Sequence, residues 1–160
     1  MSNVLIEVQF YRKLRDGFNL FCRSATDALS LDVEQYEVRF VPGTGLSRTL
    51  FVLEHECRVR FGVTRTGGRD TLVGRLLFER VLDAGKTEFF FEITFDHLLH
   101  VIRQPIETRR TLRIDDPDFL RSFMATALLD RMLRRLAAKE LTEASPIASR
   151  EAARPSLVHC

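Results

Sequence analysis

Four charged side chains at every second position, Glu54, Glu56, Arg58 and Arg60, form the first pattern in this chain that chemistry could use. In an extended segment successive side chains point to opposite faces, so these four share one face while Phe51, Leu53, His55, Cys57, Val59, Phe61 and Val63 share the other. Two carboxylates beside two guanidinium groups can hold a metal and a phosphate, or they can pair with one another across a wet sheet face. His55 and Cys57 lie together on the apolar side, and His97 and His100 stand three apart in DHLLH. A mixed His/Cys metal site would need a third and a fourth ligand, and the spacing fixes neither, so no metal and no cofactor is expected. Cys57, set between Leu53, Val59 and Phe61, reads as a core residue, because a nucleophilic thiol needs a base and an electropositive, exposed setting.

The spacing Glu54-x-Glu56-x-Arg58 resembles the ExExK strand of triphosphate tunnel enzymes, in which carboxylates hold a metal and basic residues hold phosphates. The resemblance covers five residues. Those enzymes carry the motif at the extreme N-terminus and repeat Lys or Arg pairs on many later strands, whereas the neighbouring strand here supplies Arg75 and Glu79. A solvated face laced with cross-strand ion pairs is therefore the expectation. The glycine pairs GTG and TGG precede no helix and lack the Lys-Ser/Thr of a phosphate loop, so they read as turns.

Aromatic supply points elsewhere. There are 13 phenylalanines and no tryptophan, and strand alternation would line up Phe89, Phe91, Ile93 and Phe95 opposite Phe90, Glu92 and Thr94. With Phe51, Leu53 and Phe61 they can fill one core; any surplus apolar surface would hold a protein partner, a second copy or a hydrophobic ligand. Nucleic acid is a poor fit: ETRRTLRI and DRMLRRLAAK offer arginines, but acids interrupt both and no aromatic residues are interleaved for stacking. The net charge of +2 gives no broad electrostatic footprint either.

The elements that would position these residues follow from periodicity. In the first segment Val4, Val8, Tyr11, Phe18, Phe21 and Ala25 recur at helical spacing, while Val4, Ile6, Val8 and Phe10 alternate as in a strand. Asp16-Gly17 favours a β-hairpin over residues 4–25, since that dipeptide suits a type I′ turn. YEVRFV reads as a strand ended by PGTG. Leu50 to Thr64, TLVGRLLFERVL and TEFFFEITF, separated by RTGGRD and DAGK, read as a three-stranded antiparallel meander. Pro105 interrupts the next segment, which reads as a loop or short helical turn followed by an edge strand near Thr108 to Ile114. Asp116 is placed to cap a helix with Pro117 at its first position, and Leu120, Phe123, Met124, Ala127, Leu128, Met132, Leu133 and Leu136 make its apolar face.

The expected architecture is α+β: a twisted antiparallel sheet or partly closed barrel of five to seven strands packed by a long C-terminal helix. Residues 1–141 are expected as a single domain and 142–160 as a flexible tail. In outline, as architecture alone and with no shared motif, this order of strands then helix resembles the export chaperone SecB and several small β-rich binding modules. Three scattered cysteines, no signal-like start and no long apolar run fit a cytoplasmic protein with no membrane span. The favoured function is a non-enzymatic protein-binding or assembly module using Phe89, Phe91 and Phe95, or Leu133 and Leu136 on the helix, with self-association among the options. The rival is a small-ligand or enzyme module with a cavity between sheet and helix lined by Glu54, Glu56, Arg58, His55 or His97.

Overall fold

A computed structural model describes residues 2–30, 37–65, 71–103 and 112–138. They form an α+β structure: helix α1 (Ser2–Ser30), strands β1 (Val38–Phe40), β2 (Ser47–Val52), β3 (His55–Arg65), β4 (Leu72–Val81), β5 (Thr87–Phe95) and β6 (Val101–Arg103), and helix α2 over residues 117–138. The six strands make one antiparallel sheet in the order β1-β2-β3-β4-β5-β6, curled into a half-barrel. The chain divides into two compact units, Met1–Leu129 and Asp130–Cys160. The tail expected from 142 onward lies outside the described residues.

The hairpin expected over residues 4–25 is instead the body of α1. Its buried positions, Leu14, Phe18, Phe21, Cys22, Ala25, Ala28 and Leu29, follow the 3.6-residue period. Gly17 is not a turn residue: it lies on the buried side of the helix, where a Cβ would overlap the Leu99 side chain and press on Phe95. Close approach to the β5–β6 connection explains a glycine that would otherwise cost a helix about 1 kcal/mol relative to alanine. The α1 rings then reach the sheet. Phe21 meets Phe40 and Phe78 edge-on at 5.9 and 6.4 Å, and Phe18 stacks on Phe61 at 5.5 Å. Such pairs each contribute roughly 0.5–1.5 kcal/mol beyond area burial, and these three fasten α1 over β1, β3 and β4.

The meander of β3, β4 and β5 stands as the alternation indicated, but the stretch from Leu50 to Thr64 is two strands. Leu53 and Glu54 both take positive φ, 50° and 67°, and make the two-residue turn between β2 and β3, with Val52 opposite His55. Two successive left-handed residues match the twist of a tight hairpin. Sequence inspection misses this turn because neither residue is Gly, Asn or Asp.

A second irregularity lies in β5. Glu79 pairs with Phe89 and Phe78 with Phe91, so Phe90 is an extra residue in the ladder. A bulge of this kind resets alternation. Phe89 therefore shares the outer face with Glu79, while Phe91, Ile93 and Phe95 lie on the α1 side. Gly74 stands opposite Phe95, whose ring covers the space a Cβ would need.

After β5, the Asp96 carboxylate accepts backbone N–H bonds from Leu98 and His100, both at 2.9 Å, and turns the chain. The following residues, expected as a loop or helical turn, form β6, and His100 bridges Arg113. Most of the strand anticipated near Thr108 to Ile114 falls outside the described residues. The start of α2 is as the sequence indicates: Asp116 Oδ1 accepts the Asp118 N–H at 2.9 Å, and Pro117 occupies the first helical position. Phe119–Met124 is wound as a π-helix, and the Arg121 guanidinium donates to the Ala28 carbonyl of α1 at 3.2 Å. In the second unit the helix continues through residue 138, with Met132 buried and Leu133 exposed.

Candidate functional site

The sheet face turned away from α1 carries the charged residues, and its centre is Glu79 of β4. Arg58 on β3 stands directly opposite Glu79 in the ladder, and Arg60 lies two residues along the same strand. Both donate to one carboxylate oxygen: Arg58 Nε to Oε1 at 2.9 Å and Arg60 Nε to Oε1 at 2.7 Å. Glu79 is 5% exposed. Burial alone would push its carboxyl group up, but the hydrogen bonds and charges of Arg58 and Arg60 outweigh this and hold it below the usual carboxylate range. A parallel pair lies further along the face, where Arg75 Nε donates to Glu92 Oε2 at 2.8 Å. At the other end the Arg39 guanidinium sits 5.0 Å from the centre of the Phe51 ring.

The ExExR strip is therefore a strand face only in part: Glu56, Arg58 and Arg60 share the outer face, while Glu54 lies in the turn at its edge. Glu54 lies in the β2–β3 turn and lines a recess with Glu37, Arg39 and Phe51. Glu56 is exposed, and only Arg58 and Arg60 take part in the buried ion pairs. The sequence pattern drew the eye along one strand, whereas the acid that organises the arginines comes from the next one. The single acidic residue of RLLFERVL, in a strand otherwise mostly apolar, was the available signal.

The other proposed polar residues are dispersed as well. His55 Nδ1 lies 3.3 Å from an Arg80 nitrogen at the end of the α1-facing side. The His97 ring packs edge-on to Phe10 at 4.8 Å, and its Nδ1 is buried with no hydrogen-bond partner among the described residues. His100 Nδ1 is 3.7 Å from Asp96 Oδ2. Among the described residues no three His, Cys, Asp or Glu side chains gather closely enough to hold a metal ion. Cys22 and Cys57 are free thiols in the core, and burial pushes both up to about 12.

Of the apolar residues singled out, Phe91 and Phe95 are buried in the core and Phe89 is 55% exposed. The bulge at Phe90 is the reason for the division. Leu133 is 57% exposed and Leu136 half-buried. Missed by the sequence reading was the beginning of α1, where Val4, Leu5, Ile6 and Val8 are between 40 and 66% exposed. The hairpin expected there had aligned Val4, Ile6 and Val8 on one strand side instead. Among the described residues no helix is long and apolar enough to cross a membrane. No family model, curated protein or solved structure matches the chain.

Proposed function

We propose that this protein is a non-enzymatic binding or assembly module that holds a protein partner or a second copy of itself. The observation that carries the reading is the apolar end of α1. Val4, Leu5 and Val8 lie on one helical face by their spacing, Ile6 points to another side, and all four are exposed in the first two turns. Three of the four are β-branched, which gives the helix no local advantage in water, so the sequence at these positions is accounted for by contact rather than by helix propensity. Neighbouring exposed apolar side chains such as Val4, Leu5 and Val8 mark interaction surfaces. Phe89 on the outer sheet face and Leu133 on α2 add separate apolar side chains that a partner could cover. The rival reading, a cavity lined by Glu54, Glu56, Arg58, His55 and His97, has less support because those side chains stand in different surroundings.

Native mass spectrometry and sedimentation velocity of the purified chain test the proposal. Wild type is expected as a dimer or with a bound protein, and Leu5→Lys with Val8→Glu is expected to release a folded monomer. A wild-type protein that stays monomeric and partner-free at high concentration would overturn the reading. Leu133→Glu with Leu136→Glu, made separately, shows whether the α2 leucines contribute to the same association.

A further inference from the structure

Thr94 of β5 stands in register between Arg75 of β4 and Arg103 of β6. A row of three residues thus crosses three strands on the outer face, with a short hydroxyl side chain between two arginines. Neighbouring strands lie about 4.8 Å apart, which sets the two arginine backbones about 10 Å from each other. Side chains of that length can converge on a small group lying over Thr94. The row borders a recess of about 500 Å³ that Thr64, Arg65 and Glu92 also line. Small-molecule sites span roughly 300–1,000 Å³, so the recess has room for more than a single ion.

The charges in this recess are unequal. Glu92 engages Arg75 through Nε and Nη2 on one carboxylate oxygen, which leaves Nη1 of Arg75 to face other groups. Glu7 pairs with Arg65 at 2.6 Å. Arg103 is exposed and has no ion-pair partner among the described residues. Two guanidinium forks and a hydroxyl, approaching from three adjacent strands, suit an acceptor with oxygens in several directions. A phosphoryl group has that form, whereas the two oxygens of a carboxylate lie in one plane.

We propose that this recess binds a phosphoryl group, as free phosphate or as a small monoester, between Arg75 and Arg103 over Thr94. Glu92 fixes the orientation of Arg75 and at the same time repels an anion, so the affinity belongs to the millimolar range. Ile102, exposed at the edge of the recess, gives the organic part of an ester apolar surface to cover.

Calorimetric titration of the full-length protein with inorganic phosphate and with phenyl phosphate tests this assignment. Saturable binding is expected for both, weakening as salt is raised. Arg103→Gln should lower affinity by about tenfold or more, the value of a charge-assisted hydrogen bond. Arg103→Lys should retain part of it, and Arg39→Gln, on the same face but four strands from Thr94, should change nothing. Tighter binding of phenyl phosphate assigns the recess to an ester, and equal binding assigns it to the free anion. If neither ligand saturates, or if Arg103→Gln binds as wild type does while melting at the same temperature, the proposal fails.

Discussion

Glu79 shows how far a single residue's position outweighs its type. Its carboxylate is buried beneath two arginines, while Glu54 lies in an exposed turn, though both are glutamates on the same hairpin system. Glu79→Gln is expected to cost about 1–3 kcal/mol in urea denaturation, because two guanidinium groups lose a charged acceptor. Glu54→Gln should cost no more than about 1 kcal/mol, the range for an exposed group. Equal losses would mean that the arginines find other partners. The pH dependence has a definite sign: the folded carboxyl group is held below its ordinary 4.5, so its contribution is present at neutral pH and lost on acidification below that value. Glu79→Gln should flatten this part of the stability profile. The thiols of Cys22 and Cys57, raised to about 12 by burial, should resist iodoacetamide in the native protein and react once it is denatured, as peptide mapping would show.

At the scale of the element, the parts that followed period were legible and the departures from period were not. Alternation located β3, β4 and β5, and the Asp116-Pro117 pair located the start of α2. Alternation also suggested a strand in Val4, Ile6, Val8 and Phe10, because β-branched residues in an exposed helix imitate one; the decisive signal lay further on, in Leu14, Phe18, Phe21 and Ala25. Asp16-Gly17 read as a turn because nothing in the sequence announces Leu99 and Phe95 as the neighbours that require a glycine. The Phe90 bulge and the Leu53-Glu54 turn were invisible for a similar reason, since each depends on pairing with another strand. Two substitutions check these assignments. Gly74→Ala should cost about 1–3 kcal/mol by thermal melting, because the buried Phe95 ring has no room to yield. Glu54→Gly should be neutral or stabilising, since it relieves a left-handed residue, whereas Glu56→Gly in the extended strand should lose about 0.5–1 kcal/mol. The reverse order would remove the turn from Leu53 and Glu54.

For the whole molecule, the expectation of a dispensable tail gives a separate check. Deleting residues after Thr142 is expected to leave the melting temperature nearly unchanged, since no periodic apolar segment is removed. A clear drop would show that Ile147, Leu157 or Val158 docks on the folded part. The strand order described above carries a consequence of a different kind. Every pairing in the sheet joins strands that follow one another in the chain, so each step closes a short loop and costs little entropy. The meander can therefore grow hairpin by hairpin, and the docking of α1 through Phe18 and Phe21 joins parts of the chain much further apart. Stopped-flow refolding should separate the two. Substitutions in the β3–β4 hairpin are expected to slow folding, whereas Phe21→Leu should act mainly by speeding unfolding, as contacts made after the rate-limiting step do. A polypeptide with this topology is expected to assemble in strand order, with α1 docking after the hairpins it covers.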